Sequence, residues 1–137
     1  MKEMVNMTVH VGDIVRAHYN SGVYIGEVQE DRGERFLVMV LAVMKHPMQG
    51  DLHHPGVIDD SVFFHERKAL AHYEKMNVDK AVVYPYDDEI PDYHTSLKTA
   101  LATMKEKLIK KDNNFSQEAL KKLQDIEEKY YHKSYYK

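Results

Sequence analysis

Residues 14–45 read IVRAHYNSGVYIGEVQEDRGERFLVMVLAVMK, and this stretch decides the fold because three strands and two turns follow from it in order. Ile14, Arg16 and His18 alternate with Val15, Ala17 and Tyr19, the period-two pattern of a half-buried strand. Asn20-Ser21-Gly22 has turn chemistry, with Gly22 free to take a positive φ. VYIGEVQE then returns, with Val23, Ile25 and Val28 expected to face inward. Gly26 interrupts this strand where a bend or bulge is expected. Asp31-Arg32-Gly33 makes the second turn, and Arg35 to Lys45 forms a long third strand. Its unbroken apolar run implies burial on both faces or very deep placement.

Working outward, HPMQGDLHHP (46–55) follows the third strand directly and gathers three histidines, a carboxylate, two prolines and a glycine. No other segment has so many groups able to do chemistry. HERKALAHYEKM (65–76) is rich in helix formers, yet NVDKAVVYPYD (77–87) reads as the closing turn and last strand of an SH3-like small barrel. That wiring wants a strand before it, so 66–76 is read as strand. Beyond residue 90 the pattern becomes helical. Pro91 suits a first helical position, and Tyr93, Leu97, Ala100, Leu101, Met104 and Leu108 recur along one face. Lys105, Lys107, Lys110 and Lys111 crowd the C-terminal end, where they favour the helix dipole. Asp112-Asn113-Asn114 breaks the helix, and Ser116 is expected to cap a second one with the stripe Ala119, Leu120, Leu123, Ile126 and Tyr130. The predicted fold is α+β: about five antiparallel strands in an SH3-like small β-barrel (1–90, with a long 46–66 loop), then a two-helix hairpin (91–137) covering the barrel.

Composition narrows the function. The chain has 137 residues and no cysteine, which excludes disulfides, thiolate nucleophiles and cysteine-based zinc sites. MKEMVNMTVHVGD (1–13) has no basic segment leading into an apolar one, so no signal peptide is expected. The longest apolar run, Phe36 to Met44, is far short of the roughly 20 residues of a membrane helix. The net charge of −3 is uneven: residues 1–90 hold 9 Lys and Arg against 15 Asp and Glu, and residues 91–137 hold 10 Lys against 7. An acidic first half is a poor surface for phosphates.

His46, Asp51, His53 and His54 could ligate a divalent metal, but adjacent His53 and His54 point apart in an extended chain and no HExxH motif supports them. No metal and no cofactor is expected. His65-Glu66 and Asp59-Asp60 could move protons, but no nucleophile elbow, phosphate loop or activated cysteine accompanies them, so no enzyme is expected. The tail YYHKSYYK (130–137) alternates rings with positive charge, as single-strand nucleic-acid platforms do. A frayed last helical turn, with Tyr130 and Tyr131 packing back, is the preferred reading. The remaining reading is a binding loop: His46, Pro47, Gln49, Gly50, Asp51, His53 and His54, flanked by His65 and Glu66. Prolines would stiffen it and reduce the entropy lost on docking.

GVYIGEV (22–28), HPMQGDLHHP (46–55), FFHERKALA (63–71) and Pro85-Tyr86 with Ile90-Pro91-Asp92-Tyr93 resemble the kinase-associated protein B family, also called kinase-associated lipoprotein B. The resemblance runs from about Gly12 into the second helix. It implies an SH3-type barrel with a helical appendage, acting as an accessory protein of the sporulation phosphorelay that a membrane-bound sensor histidine kinase needs in order to signal. It carries no catalytic residues over to this chain. Because lipid attachment needs a cysteine, and this sequence has none, the expectation is a cytoplasmic protein whose membrane association is peripheral, through the kinase. The expected partner is the kinase's cytoplasmic region. A small-barrel nucleic-acid-binding protein is the alternative, and both monomer and dimer remain open.

Overall fold

In the computed structural model, which describes residues 9–50 and 66–137, five antiparallel strands form one sheet in the order β4-β3-β2-β1-β5. These are β1 (Ile14–Tyr19), β2 (Gly22–Asp31), β3 (Arg35–Lys45), β4 (Lys75–Asp79) and β5 (Val83–Pro85). The sheet curls so that β4 comes back beside β1, giving a small barrel-like body. Two helices follow, α1 (Tyr93–Lys111) and α2 (Asn114–Lys129). This is the α+β architecture expected from the sequence.

The local reasons differ in places from the sequence reading. In the first hairpin it is Asn20 and Ser21, at φ 46° and 67°, that take the left-handed conformation. Both central residues at positive φ is the turn whose twist matches the flanking strands. The pairing of β2 with β3 slips between Val23 and Tyr24 and again between Ile25 and Gly26. These bulges put Tyr24 and Val28 into the core cluster, with Val23 only half-buried. Gly26 is required there, since a Cβ would stand 2.5 Å from the Met39 carbonyl oxygen and from Val38 Cγ1.

The burial expected on both faces of β3 has a concrete source, because α1 lies against it. Ser96 on α1 accepts a 2.9 Å hydrogen bond from the Val43 amide and donates to the Tyr93 carbonyl. Phe36, Val38 and Val40 join Val15, Ala17, Met76, Val78 and Val83 in the core, closed by Leu97, Leu101, Leu123 and Ile126 from the helices.

Helix α1 starts at Tyr93, with Asp92 as its cap and Pro91 outside it. The Asp92 carboxylate accepts from the Thr95 amide and hydroxyl, which holds its pKa below the usual value. Asp112 ends the helix in the left-handed conformation at φ 45°. The cap of α2 is Asn113, whose side chain accepts from the Ser116 amide; Ser116 itself is buried inside the helix. Asn is as good an N-cap as Ser, and composition alone did not separate them.

Candidate functional site

The segment before β4 decides how the 46–55 region is presented. Residues 66–71 are neither strand nor helix, and β4 begins only at Lys75. This corrects the strand read over 66–76. A turn at His72-Tyr73 intervenes, with Tyr73 at φ 70° donating its N–H to the Val40 carbonyl.

A buried segment without regular structure needs partners for every backbone group, and four tyrosines supply them. The Ala69 N–H donates to the Tyr131 hydroxyl at 2.9 Å, and the Ala69 carbonyl accepts from Tyr136 at 2.9 Å. The Leu70 N–H donates to the Tyr24 hydroxyl at 3.3 Å, and the Leu70 carbonyl accepts from the Tyr93 hydroxyl. The four rings come from β2, α1 and the C-terminal tail, and all are buried. Burial, the largest cause in each case, raises all four phenols, Tyr24 to about 12.

The other arm is tied to this one. The Gln49 side chain accepts from the Arg67 N–H at 2.8 Å and donates to the Arg67 carbonyl at 2.8 Å, imitating a strand pairing between residues that lie in no strand. The Arg67 guanidinium reaches back to the Gly50 carbonyl at 3.3 Å. His46 completes the base. Its Nδ1 lies 2.9 Å from the Pro47 carbonyl and its Nε2 lies 2.6 Å from the Tyr131 hydroxyl. Because the Pro47 carbonyl can only accept, Nδ1 carries the proton. Nε2 is then the acceptor for the Tyr131 O–H, whose oxygen is free to accept from Ala69. The ring is neutral, and burial first of all pulls its pKa down to about 4.

Of the residues expected to form the site, His46, Pro47, Gln49 and Gly50 are thus buried anchors, and Glu66 is exposed beside them. Asp51, His53, His54 and His65 lie outside the described residues, as do the acid–base candidates Asp59 and Asp60. His46 has both ring nitrogens engaged, so as placed it offers no lone pair to a metal. Among the described residues no group of three or more His, Asp or Glu is arranged to hold one.

The sequence reading missed Arg67, Tyr24 and Tyr136, while the inward packing it expected of Tyr93 and Tyr131 is observed. The tail is not a frayed turn: Tyr131 and Tyr136 are core residues, while Tyr130 is half-buried under the Lys68 ammonium, 4.1 Å from its ring centroid. Tyrosines clustered at a chain end, each with an apolar body and a polar tip, were the available signal. Gln49→Ala is expected to lower unfolding free energy by about 1–3 kcal/mol, by leaving the Arg67 backbone without partners. The check is urea denaturation together with hydrogen exchange, where the Arg67 amide should lose protection.

Among the described residues no helix is long and apolar enough to cross a membrane. The family model for kinase associated protein B matches residues 19–131. A relative from Bacillus subtilis (strain 168), "Kinase-associated lipoprotein B", is 45% identical over 126 residues, covering 92% of this chain and 98% of its own. The crystal structure of kinase-associated protein B from Bacillus cereus is similar at a TM-score of 0.75 and 37% identity, covering 90% of this chain and 98% of that one.

Proposed function

The chain belongs to the kinase-associated protein B family, and we propose that it binds the cytoplasmic region of a sporulation sensor histidine kinase and promotes its signalling into the phosphorelay. The observation that carries this reading is the clasp of Gln49 and Gly50 on Arg67, which fixes both arms of the 46–66 region to one point on the barrel. A fixed base limits the entropy lost when the region between the arms meets a partner. His46, Pro47, Gln49 and Gly50 serve by holding that base. Asp51, His53, His54, His65 and Glu66 are the residues proposed to meet the kinase. The protein makes and breaks no bonds. Its effect comes from binding the active kinase conformation more tightly than the inactive one, since equal affinity for both would shift nothing.

The nucleic-acid alternative loses support from the tail, two of whose four rings are committed to the core. Binding to the purified kinase cytoplasmic region, followed by calorimetry, separates the readings. Saturable binding that Asp51→Ala/Glu66→Ala weakens at least tenfold is the expected result. Binding unchanged by that variant removes the region from the interface. A steep salt-dependent affinity for single-stranded DNA without kinase binding would favour the alternative.

A further inference from the structure

A second surface borders the Gln49 anchor. Between the end of β3 and the two helices lies a groove of about 410 Å³ whose apolar lining includes Met44, Met48, Met104 and Leu108. Lys45, Lys107 and Lys111 also line it, and among the described residues no carboxylate does. Met44 is 45% exposed. Unbranched, polarisable methionines adapt to varied apolar side chains, and methionine is over-used at surfaces that accept helices. Aligned lysines beside an apolar floor attract carboxylates flanking an apolar stripe.

We infer that this groove is a docking site for an acidic amphipathic helix of a partner protein, apolar residues at i, i+3, i+4 and i+7 seated on the methionines and Glu or Asp facing Lys45, Lys107 and Lys111. The charge balance carries the choice of occupant: the chain is acidic as a whole, at −3, while the charged groups lining the groove among the described residues are all lysines. The inference stands whether or not the partner is a kinase.

The test is fluorescence polarisation of the full-length protein with an 18-residue peptide bearing leucines at that spacing and glutamates elsewhere, compared with the same leucines among lysines. The acidic peptide should bind saturably, at least tenfold tighter than the basic one. Lys45→Glu/Lys107→Glu and, separately, Met44→Glu should each weaken it at least tenfold; the three positions are exposed, and unchanged denaturation midpoints would show that the fold persists. Equal binding of both peptides, or no effect of the variants, overturns the proposal. Absence of binding also overturns it, with sedimentation then telling a second copy in the groove from the chain's own residues 51–65.

Discussion

Tyr131→Phe is expected to lower the unfolding free energy by about 2–4 kcal/mol, although it removes only one oxygen from one side chain. That oxygen serves two buried groups at once, accepting from the Ala69 N–H and donating to His46 Nε2. Without it, a backbone donor and a ring nitrogen are left unpaired in a region with little access to water, each costing about 1–3 kcal/mol. The ring itself stays, so the loss is polar and not a matter of cavity. Tyr135→Phe is the matched control, since Tyr135 is half exposed. Its expected change is within about 0.5 kcal/mol. Urea denaturation at pH 7.5 measures both. Equal midpoints for the two variants would mean that the tyrosine cage does not hold the segment.

The second large effect is acid destabilisation through His46. The folded protein keeps this ring neutral with a pKa of about 4, while the ordinary value is 6.5. Between those values the unfolded chain binds a proton that the folded protein does not, so unfolding free energy falls as pH falls. The slope approaches 1.4 kcal/mol per pH unit, for about 3 kcal/mol in all once pH drops to about 4. Above pH 6.5 the contribution is fully present. Burial of the ring is the main cause, and the hydrogen-bond order agrees with it. A second ring proton on Nε2 would face the Tyr131 hydroxyl, whose own proton would have nowhere to go. His46→Gln keeps an acceptor for Tyr131 and removes the titration. It should be less stable than the parent at pH 7.5 and show a shallower decline towards pH 4.5. Parallel curves for the two proteins would assign acid sensitivity to other groups.

Both effects converge on the Tyr131 hydroxyl that holds Ala69, and the segment around it shows where the sequence was legible. Strands β1 to β3 were readable because alternation and turn residues act within a few positions, and the helices because their stripes repeat every three to four residues. Residues 66–74 were not, because what decides their conformation is far away. Tyr24, Tyr131 and Tyr136 stand 46, 62 and 67 residues from the backbone groups they satisfy. Local helix propensity in ERKALAHYE is a matter of tenths of a kcal/mol per residue, and four tertiary hydrogen bonds in a buried site outweigh it. The same distance explains the candidate site. The run HPMQG looks like a polar loop, but His46 finds Tyr131 and Gln49 finds Arg67, so groups that suggest chemistry instead close a joint. Sequence alone does not tell the buried anchors His46, Pro47, Gln49 and Gly50 from the exposed Glu66.

The family relation supports a kinase-linked role, and the joint at the base of the 46–66 region gives that role a physical form. On the proposed reading the buried anchors hold the base, and the residues beyond them are the ones proposed to meet the partner. This division predicts that substitutions at Gln49 or His46 act through stability, whereas those at Glu66 act through affinity with stability unchanged.

The most direct measurement is the initial rate of autophosphorylation of the purified kinase cytoplasmic region, titrated with this protein at fixed ATP. The account predicts a rate that rises and saturates at the concentration where binding saturates, with Asp51→Ala/Glu66→Ala shifting the curve to higher concentration and leaving the plateau in place. A rate that stays flat while the two proteins demonstrably bind would contradict it.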